Sequence, residues 1–327
     1  MVVVAGVAAV ADEIEETDMK ILPIAFTVLA FATGPAAHAA DAHASAKQRT
    51  FASADEAAAA LTDAVRAKDV KALVAIVGPG SERWLFTGDK VADANDWRVF
   101  LSAYEAAHTL DTQGDKTVLE VGEDKWPFPA PIVKHGERWA FDPIAGREEL
   151  LNRRIGRNEL DAIQTMLAIV DAEREYATMD ADQSGHTDYA RRIVSSPGKK
   201  DGLYWPDQAG SPQSPLGPLV AVAAAEGYGK QKPKAGERRP YHGYYYKILT
   251  QQGPDAPGGA YDYLVGDKLM GGFAVVAWPA SHGVSGITSF LVNHEGVVYE
   301  KDLGKQTQAI ASSMTRFNPD ATWRKAQ

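Results

Sequence analysis

The sequence predicts an α+β protein built from N-terminal helices with a curved antiparallel sheet, a long helix, and a C-terminal antiparallel sheet. Three observations carry that class. Apolar residues recur at helical spacing from Ser53 to His108 and again from Arg147 to Met179. After each helical stretch the pattern turns to short alternating runs punctuated by glycine and proline. The chain has 327 residues, room for roughly two domains, with 45% hydrophobic and 24% charged residues, the balance of a protein that buries a core.

The elements follow in chain order. Ser53-Ala54-Asp55-Glu56 is a capping box that opens a helix to about Ala67, with Ala57, Ala60, Leu61, Ala64 and Val65 on one face. Asp69 caps a shorter helix through Val77, stopped by Gly78-Pro79-Gly80. A third helix runs from Asp93 or Asn95 to His108, with Trp97, Phe100, Leu101 and Tyr104 at core spacing. Strands are expected over Lys116 to Val121, Ile132 to Lys134 and Arg138 to Asp142, with His135-Gly136 turning between the last two. The block Trp126-Pro127-Phe128-Pro129-Ala130-Pro131 cannot donate ladder bonds at three positions, so it reads as an edge segment whose aromatics pack inward. Arg147 to Ile155 and Asn158 to Met179 read as helix interrupted at Gly156, a kink or hinge unless the helix simply tolerates one glycine. Leu160, Ile163, Met166, Leu167, Val170 and Ala177 form its stripe. Pro197 to Pro218 is a loop and Leu219 to Gly227 a short helix. Five strands then follow: Tyr244 to Leu249, Tyr261 to Val265, Phe273 to Trp278, Ser289 to Asn293 and Val297 to Lys301. The turn His294-Glu295-Gly296 joins the last two. The units divide at residues 51–146 and 147–327.

The N-terminus reads as an export address. Met19-Lys20, the apolar run Ile21 to Phe31, the breakers Gly34 and Pro35, and Ala37-His38-Ala39 have the layout of a secretory signal peptide over residues 19–39. The run is shorter than the ~20 apolar residues a bilayer requires, so no transmembrane segment is expected in the mature chain. Residues 1–18 carry five acidic side chains, the wrong charge ahead of such a run, and read as a mis-assigned extension; residues 40–50 read as a disordered leader. The net charge is -9, and removal of residues 1–39 takes away five acids and one base to leave -5. Neither value suits a nucleic-acid partner. The chain has no cysteine, which removes disulfides, thiolate metal sites and thiol catalysis. The expected location is the periplasm or the exterior.

Several blocks carry a family resemblance. They are Trp126-Pro127-Phe128-Pro129, Arg138-Trp139-Ala140-Phe141-Asp142, Arg153-Arg154-Ile155-Gly156-Arg157-Asn158-Glu159, Asp201-Gly202-Leu203-Tyr204-Trp205-Pro206, Tyr241-His242-Gly243-Tyr244-Tyr245 and Gly271 to Pro279. On these the chain resembles the bacterial secreted domain-of-unknown-function family 2950, from about Phe51 to Trp323. The resemblance implies secretion and no known activity. The order of the first elements resembles NTF2-like and cystatin-like folds. The long helix, glycine-rich loop and last strands look like a type IV pilin or pseudopilin head, although a whole unit stands where a membrane-spanning half-helix would be.

Complete catalytic sets are absent from the sequence. No two histidines stand four apart and no H-E-x-x-H occurs. Ser196-Pro197-Gly198-Lys199 has the S-x-x-K spacing, but Pro197-Gly198 forbids the helical turn that chemistry needs; Gly283-Val284-Ser285-Gly286-Ile287 lacks the last glycine of a nucleophile elbow. Arg153, Arg154 and Arg157 lie beside Glu148, Glu149, Glu159 and Asp161, with pairs such as Arg153–Glu149 and Arg157–Asp161 four residues apart, and read as ion pairs along a helix. Calcium is the one ion the spacing admits: Asp180, Asp182 and Ser184 at positions one, three and five, Gly185 at six and Asp188 at nine. Arg191 stands where a closing glutamate belongs, so an EF-hand is excluded. No other cofactor is implied. Tyr204, Trp205, Tyr241, His242 and Tyr244 are the candidate ligand or partner surface, since aromatics beside glycine loops stack on sugars or partner surfaces. The favoured reading is a binding or structural module of the envelope, with an envelope protein or glycan as partner. An envelope hydrolase at residues 199–246, pairing His242 with Asp201, and a small-ligand carrier in the N-terminal unit are the alternatives.

Overall fold

The computed structural model describes residues 48–181, 185–229 and 239–326. The expected extension, signal peptide and leader residues 40–47 lie outside them. Where the chain enters view it is tied down rather than loose. Gln48 Nε2 donates to the carbonyls of Val77 (2.9 Å) and Phe141 (2.7 Å), and the Arg49 N–H to Ala75.

The N-terminal lobe starts with helix α1 (Ala54–Arg66), whose capping box forms with one change. Ser53 Oγ accepts from the Glu56 N–H, and the Glu56 carboxylate reaches back to the Ala52 N–H rather than that of Ser53. Helix α2 (Val70–Val77) is capped by Asp69 as expected. A short helix, α3 (Glu82–Leu85), and α4 (Lys90–Ala106) follow. α4 starts earlier than its apolar spacing suggests because Asp89, not a later residue, accepts the first free N–H groups, from Val91 and Ala92.

Strands β1 (His108–Gln113), β2 (Lys116–Val121), β3 (Trp126–Pro127), β4 (Ile132–His135) and β5 (Arg138–Phe141) form one antiparallel sheet, ordered β1-β2-β4-β5 with β3 beside β2. β1 escapes a reading by alternation because it is an edge strand with almost every side chain exposed. Phe128 is buried as expected, but Trp126 points outward, 54% exposed.

Helix α5 (Pro143–Met179) is continuous for 37 residues, about 55 Å at 1.5 Å per residue. Asp142 caps it through Ile144 and Ala145, and Pro143 supplies the pre-set first turn. The helix therefore begins before Arg147, and the expected unit boundary falls inside it. Gly156 does not interrupt it. The buried face also differs from the apolar stripe: Leu160 is exposed, while Arg154 and Asn158 are buried. Two hydrophobic clusters divide α5 between them. Leu151 packs with α1, α2 and the first sheet, whereas Ala162, Met166, Ile169, Val170 and Tyr176 pack with the C-terminal lobe.

Helix α6 (Gly217–Glu226) ends at Gly227 in the left-handed region. Beyond it lie β6 (Tyr244–Leu249), β7 (Gln251–Gln252), β8 (Tyr261–Asp262), β9 (Leu264–Val265), β10 (Lys268–Leu269), β11 (Ala274–Pro279), β12 (Thr288–Asn293) and β13 (Tyr299–Asp302). Helix α7 (Thr307–Ser313) and the short strands β14 (Arg316–Phe317) and β15 (Arg324–Lys325) close the lobe. The main sheet is antiparallel, ordered β15-β13-β12-β11-β6, with the wholly buried β11 near its centre. The protein is thus mixed helix and antiparallel sheet around one long helix. Among the described residues no helix is long and apolar enough to cross a membrane.

Two glycines of α5 test this packing in opposite directions. A Cβ at Gly146 would stand 2.5 Å from Ala130 Cβ and 3.0 Å from its Cα, whereas one at Gly156 meets nothing within 4 Å. Gly146→Ala should destabilise by about 1–3 kcal/mol. Gly156→Ala should stabilise by roughly 0.5–1 kcal/mol, the helix-propensity gain at an open site. Urea denaturation of both variants measures this, and a loss of stability at Gly156→Ala would restore the hinge.

Candidate functional site

The lobes meet through a layer of polar side chains, and its centre is Asp89. This carboxylate, 2% exposed, caps α4 with Oδ1. Its Oδ2 accepts from the Tyr228 hydroxyl (2.8 Å) and the Gly243 N–H (3.2 Å), both from the C-terminal lobe. Four donors on one buried carboxylate, beside the positive end of a helix, make a negative charge tenable there. Tyr228 in turn accepts from the His242 N–H (3.2 Å). Burial, then the Asp89 charge, pushes the Tyr228 phenol far above its ordinary range, so it stays a neutral donor.

Neighbouring contacts extend the layer along α5. Arg154, buried, donates to the Trp84 carbonyl (2.6 Å) at α3. Burial lowers its pKa against the opposing pull of Asp93. Asp93 takes the Thr87 N–H and hydroxyl, and burial holds it above the usual carboxylate range despite those bonds and Arg154. Asn158 Nδ2 donates to the Ser285 carbonyl (2.9 Å), and Glu159 accepts from the N–H groups of Ile287 (3.0 Å) and Thr288 (2.9 Å).

His242 occupies the outer part of this seam. Tyr241 and Tyr244 exchange backbone bonds around His242-Gly243, and both central residues have positive φ, 48° and 75°. That pattern is the two-residue turn that a twisted hairpin prefers. Glycine takes the conformation freely, but a histidine there costs on the order of 1 kcal/mol. Its ring is held on both sides: Nδ1 lies 2.8 Å from Asp161 Oδ2 on α5, and Nε2 lies 2.9 Å from Glu226 Oε2 at the end of α6. Two carboxylates can both be served only by an imidazolium, which donates from both nitrogens. Burial alone would lower the His242 pKa, but the bonds to Asp161 and Glu226 outweigh it and raise it. Together with Val91, Asn95, Asp96, Arg157 and Tyr228, these groups line a cleft of about 120 Å³.

The expected partner surface divides. Tyr241 and His242 reach the seam, with Tyr241 edge-on to Tyr228. Tyr244 does not: it is fully buried, its hydroxyl donating to the Thr288 carbonyl (2.9 Å). Strand alternation turns that ring into the core. Tyr204 and Trp205 are also mostly buried and lie elsewhere. Trp205 Nε1 donates to the Pro212 carbonyl, and Tyr204 borders a separate hollow of about 320 Å³ beside α6. Asp201 is not the partner of His242. It closes a turn on Ser196, accepting from its N–H (2.7 Å) and hydroxyl (2.8 Å), so the hydroxyl donates to Asp201 while the Ser196 carbonyl accepts the Lys199 N–H (2.9 Å).

At the expected calcium loop, the Asp180 carboxylate accepts the Gly185 N–H (3.1 Å), and Asp188 is buried with Lys268 Nζ 3.2 Å away. Asp182 and Ser184 lie outside the described residues. Among the described residues no group of three or more histidine or acidic side chains is placed to hold a metal ion. Of the three arginines, Arg153 pairs with Glu149 along the helix (2.6 Å), as expected. Arg157 instead reaches across to Asp96 on α4 (3.1 Å), and Arg154 is a buried donor. Sequence spacing missed Asp89, Asp161, Glu226 and Tyr228, whose partners across the seam are 14 to 154 residues away. The capping position of Asp89 was the one available signal.

Removing Asp89 should be costly: Asp89→Ala strips the α4 cap and leaves two buried donors unpaired, a loss of about 3 kcal/mol or more by denaturant titration. His242 makes stability depend on pH. Its folded pKa is raised above the unfolded value of 6.5, so its contribution is complete below about pH 6.5 and disappears as pH rises through the folded value. The stability gap between wild type and His242→Asn should therefore narrow on going from pH 6 to pH 9. A gap that stays constant or widens would show that the ring is neutral.

No curated protein and no solved structure matches the chain, so the likenesses to NTF2-like, cystatin-like and pilin folds rest on the sequence alone. The blocks quoted above all fall within residues 48–326, the stretch that matches the family described as "Protein of unknown function (DUF2950)". The chain belongs to that family.

Proposed function

We propose that the chain is an exported cell-envelope protein that binds an envelope protein or glycan at the junction cleft rather than transforming it. The observation that carries this reading is the double engagement of His242. With Nδ1 on Asp161 and Nε2 on Glu226, the ring has no free lone pair, so it is neither a general base nor a nucleophile. The Tyr228 hydroxyl, which accepts from the His242 N–H, donates to Asp89 and is held far from ionisation. A hydrolase that pairs His242 with Asp201 lacks its pair. The interior of the N-terminal lobe is filled by Leu119, Phe128, Ile132 and Phe141, which favours the junction over that lobe as the place where a ligand sits. Export is supported by the layout of Met19 to Ala39.

Expression from Met19 in a Gram-negative host should release the protein on osmotic shock with Ala40 as its first residue, read by intact mass. A photo-crosslinking residue in place of Asn95 should form a discrete adduct with envelope material. Recovery of the protein in the cytosol with Met19 intact would overturn the reading.

A further inference from the structure

We infer that the junction cleft and the Trp126 ring beside it form one trough that binds an uncharged oligosaccharide. This rests on the binding reading above and names its ligand. The trough starts at a ring that is exposed yet fixed. Trp126 is 54% exposed, and the guanidinium of Arg153 lies 4.2 Å from its centroid. Arg153 is itself held by Glu149 Oε1 (2.6 Å) and the Pro127 carbonyl (3.0 Å). A large apolar ring left in water gains the fold little beyond that exposed cation–π contact, and the cation behind it restrains its rotation.

α5 then aligns this ring with the cleft. Arg153, Arg157 and Asp161 stand at four-residue intervals, so they form one row on the helix surface, about 12 Å long at 1.5 Å per residue. The row runs from the Trp126–Arg153 stack, past the Asp96–Arg157 pair, to the Asp161–His242–Glu226 bridge. All of these charges remain partly open to solvent, with side-chain exposures from 24% to 53% in the two bridges.

The charge pattern selects the ligand. Each acid in the trough is already paired with a cation, and the two signs alternate along it. An anionic ligand would face Asp96, Asp161 and Glu226; a cationic one would face Arg153, Arg157 and the doubly bonded His242. A lipid or apolar peptide would find one indole and little more. A neutral sugar suits all of these groups. Each hydroxyl donates to a carboxylate and accepts from a guanidinium, planar carboxylate and guanidinium groups match neighbouring hydroxyls two at a time, and the C–H face of a pyranose covers the open part of the indole.

The test titrates the purified, signal-cleaved protein with cellotetraose, chitotetraose and maltotetraose, read by calorimetry and by tryptophan fluorescence. At least one should bind. Trp126→Ala should weaken it about tenfold, the scale of one lost aromatic contact. Trp126→Phe should recover part of the loss, and both variants should melt within a few degrees of wild type because the ring lies outside the core. Failure of all three sugars, binding that Trp126→Ala leaves unchanged, or tighter binding of a charged oligosaccharide than of the neutral ones would overturn the inference. A protein-only adduct from the Asn95 crosslinker would also sink it while leaving the binding reading intact; loss of the adduct altogether would sink both.

Discussion

The junction of the two lobes is centred on one carboxylate, with the Asn158 and Glu159 contacts to Ser285, Ile287 and Thr288 beside it. Asp89 does what any N-cap aspartate does for α4, but it spends its second oxygen on Tyr228 and Gly243 from the far lobe. A local folding signal and a long-range contact therefore share one charge. Such an arrangement is intolerant of sliding: a shift of either lobe leaves a buried anion or a buried N–H without its partner, and each costs more than a lost apolar contact of similar size. Gly243 shows how close the fit is, since a Cβ there would come within 2.6 Å of Asn158 Nδ2. The left-handed histidine beside it is tolerated because Asp161 and Glu226 hold its ring.

α5 supplies the rigid frame for that contact. One face of a single helix begins in the N-terminal core at Leu151, passes through the polar layer at Arg154 and Asn158, and enters the C-terminal core at Ala162. An apolar interface would have been at least as stable in principle, because desolvating Arg154 and Asp93 offsets much of their mutual attraction. What the polar layer adds is direction. Hydrogen bonds to the Trp84, Leu85 and Ser285 carbonyls have a preferred geometry, whereas apolar contact alone permits several.

Much of the fold was legible because its signals are local. The Ser53 and Asp69 caps, the strands Lys116–Val121 and Tyr244–Leu249, and the stop at Gly227 follow from spacing and turn chemistry. The misses share a cause. The start of α5 was hidden by Pro143 and Gly146, which look like loop residues until the first belongs to the first helical turn and the second is required by close approach to Ala130. Leu160 looked like core and Arg154 like surface because hydropathy cannot register that a helix passes through a polar seam. Trp126 reads as interior because the aromatics of a proline-rich edge segment are expected to face the core, but the indole is exposed. The site was less legible still. Of its members only His242 and Tyr241 stood out, because a cluster of tyrosines near glycines is visible in one dimension, while Asp161 and Glu226 are ordinary helix acids until the turn at Tyr241–Tyr244 brings the imidazole between them.

In the proposed binding reading, that imidazole also accounts for a cleft that holds charge without acting on its ligand. Catalytic acids and bases need a proton that can move, and they are commonly tuned by an environment that disfavours one charge state. Here the environment does the opposite: carboxylates on both sides stabilise the charged form and consume both donors. The outer seam is left with alternating, mutually compensated charges around a fixed ring, on a scaffold threaded by one continuous helix. Preorganised polar groups of both signs cost little to reuse for a neutral partner, because the charges remain paired when water is exchanged for hydroxyls. In the proposed reading, the Asp161–His242–Glu226 bridge that fixes the turn against α5 and α6 also shapes what the outer face recognises.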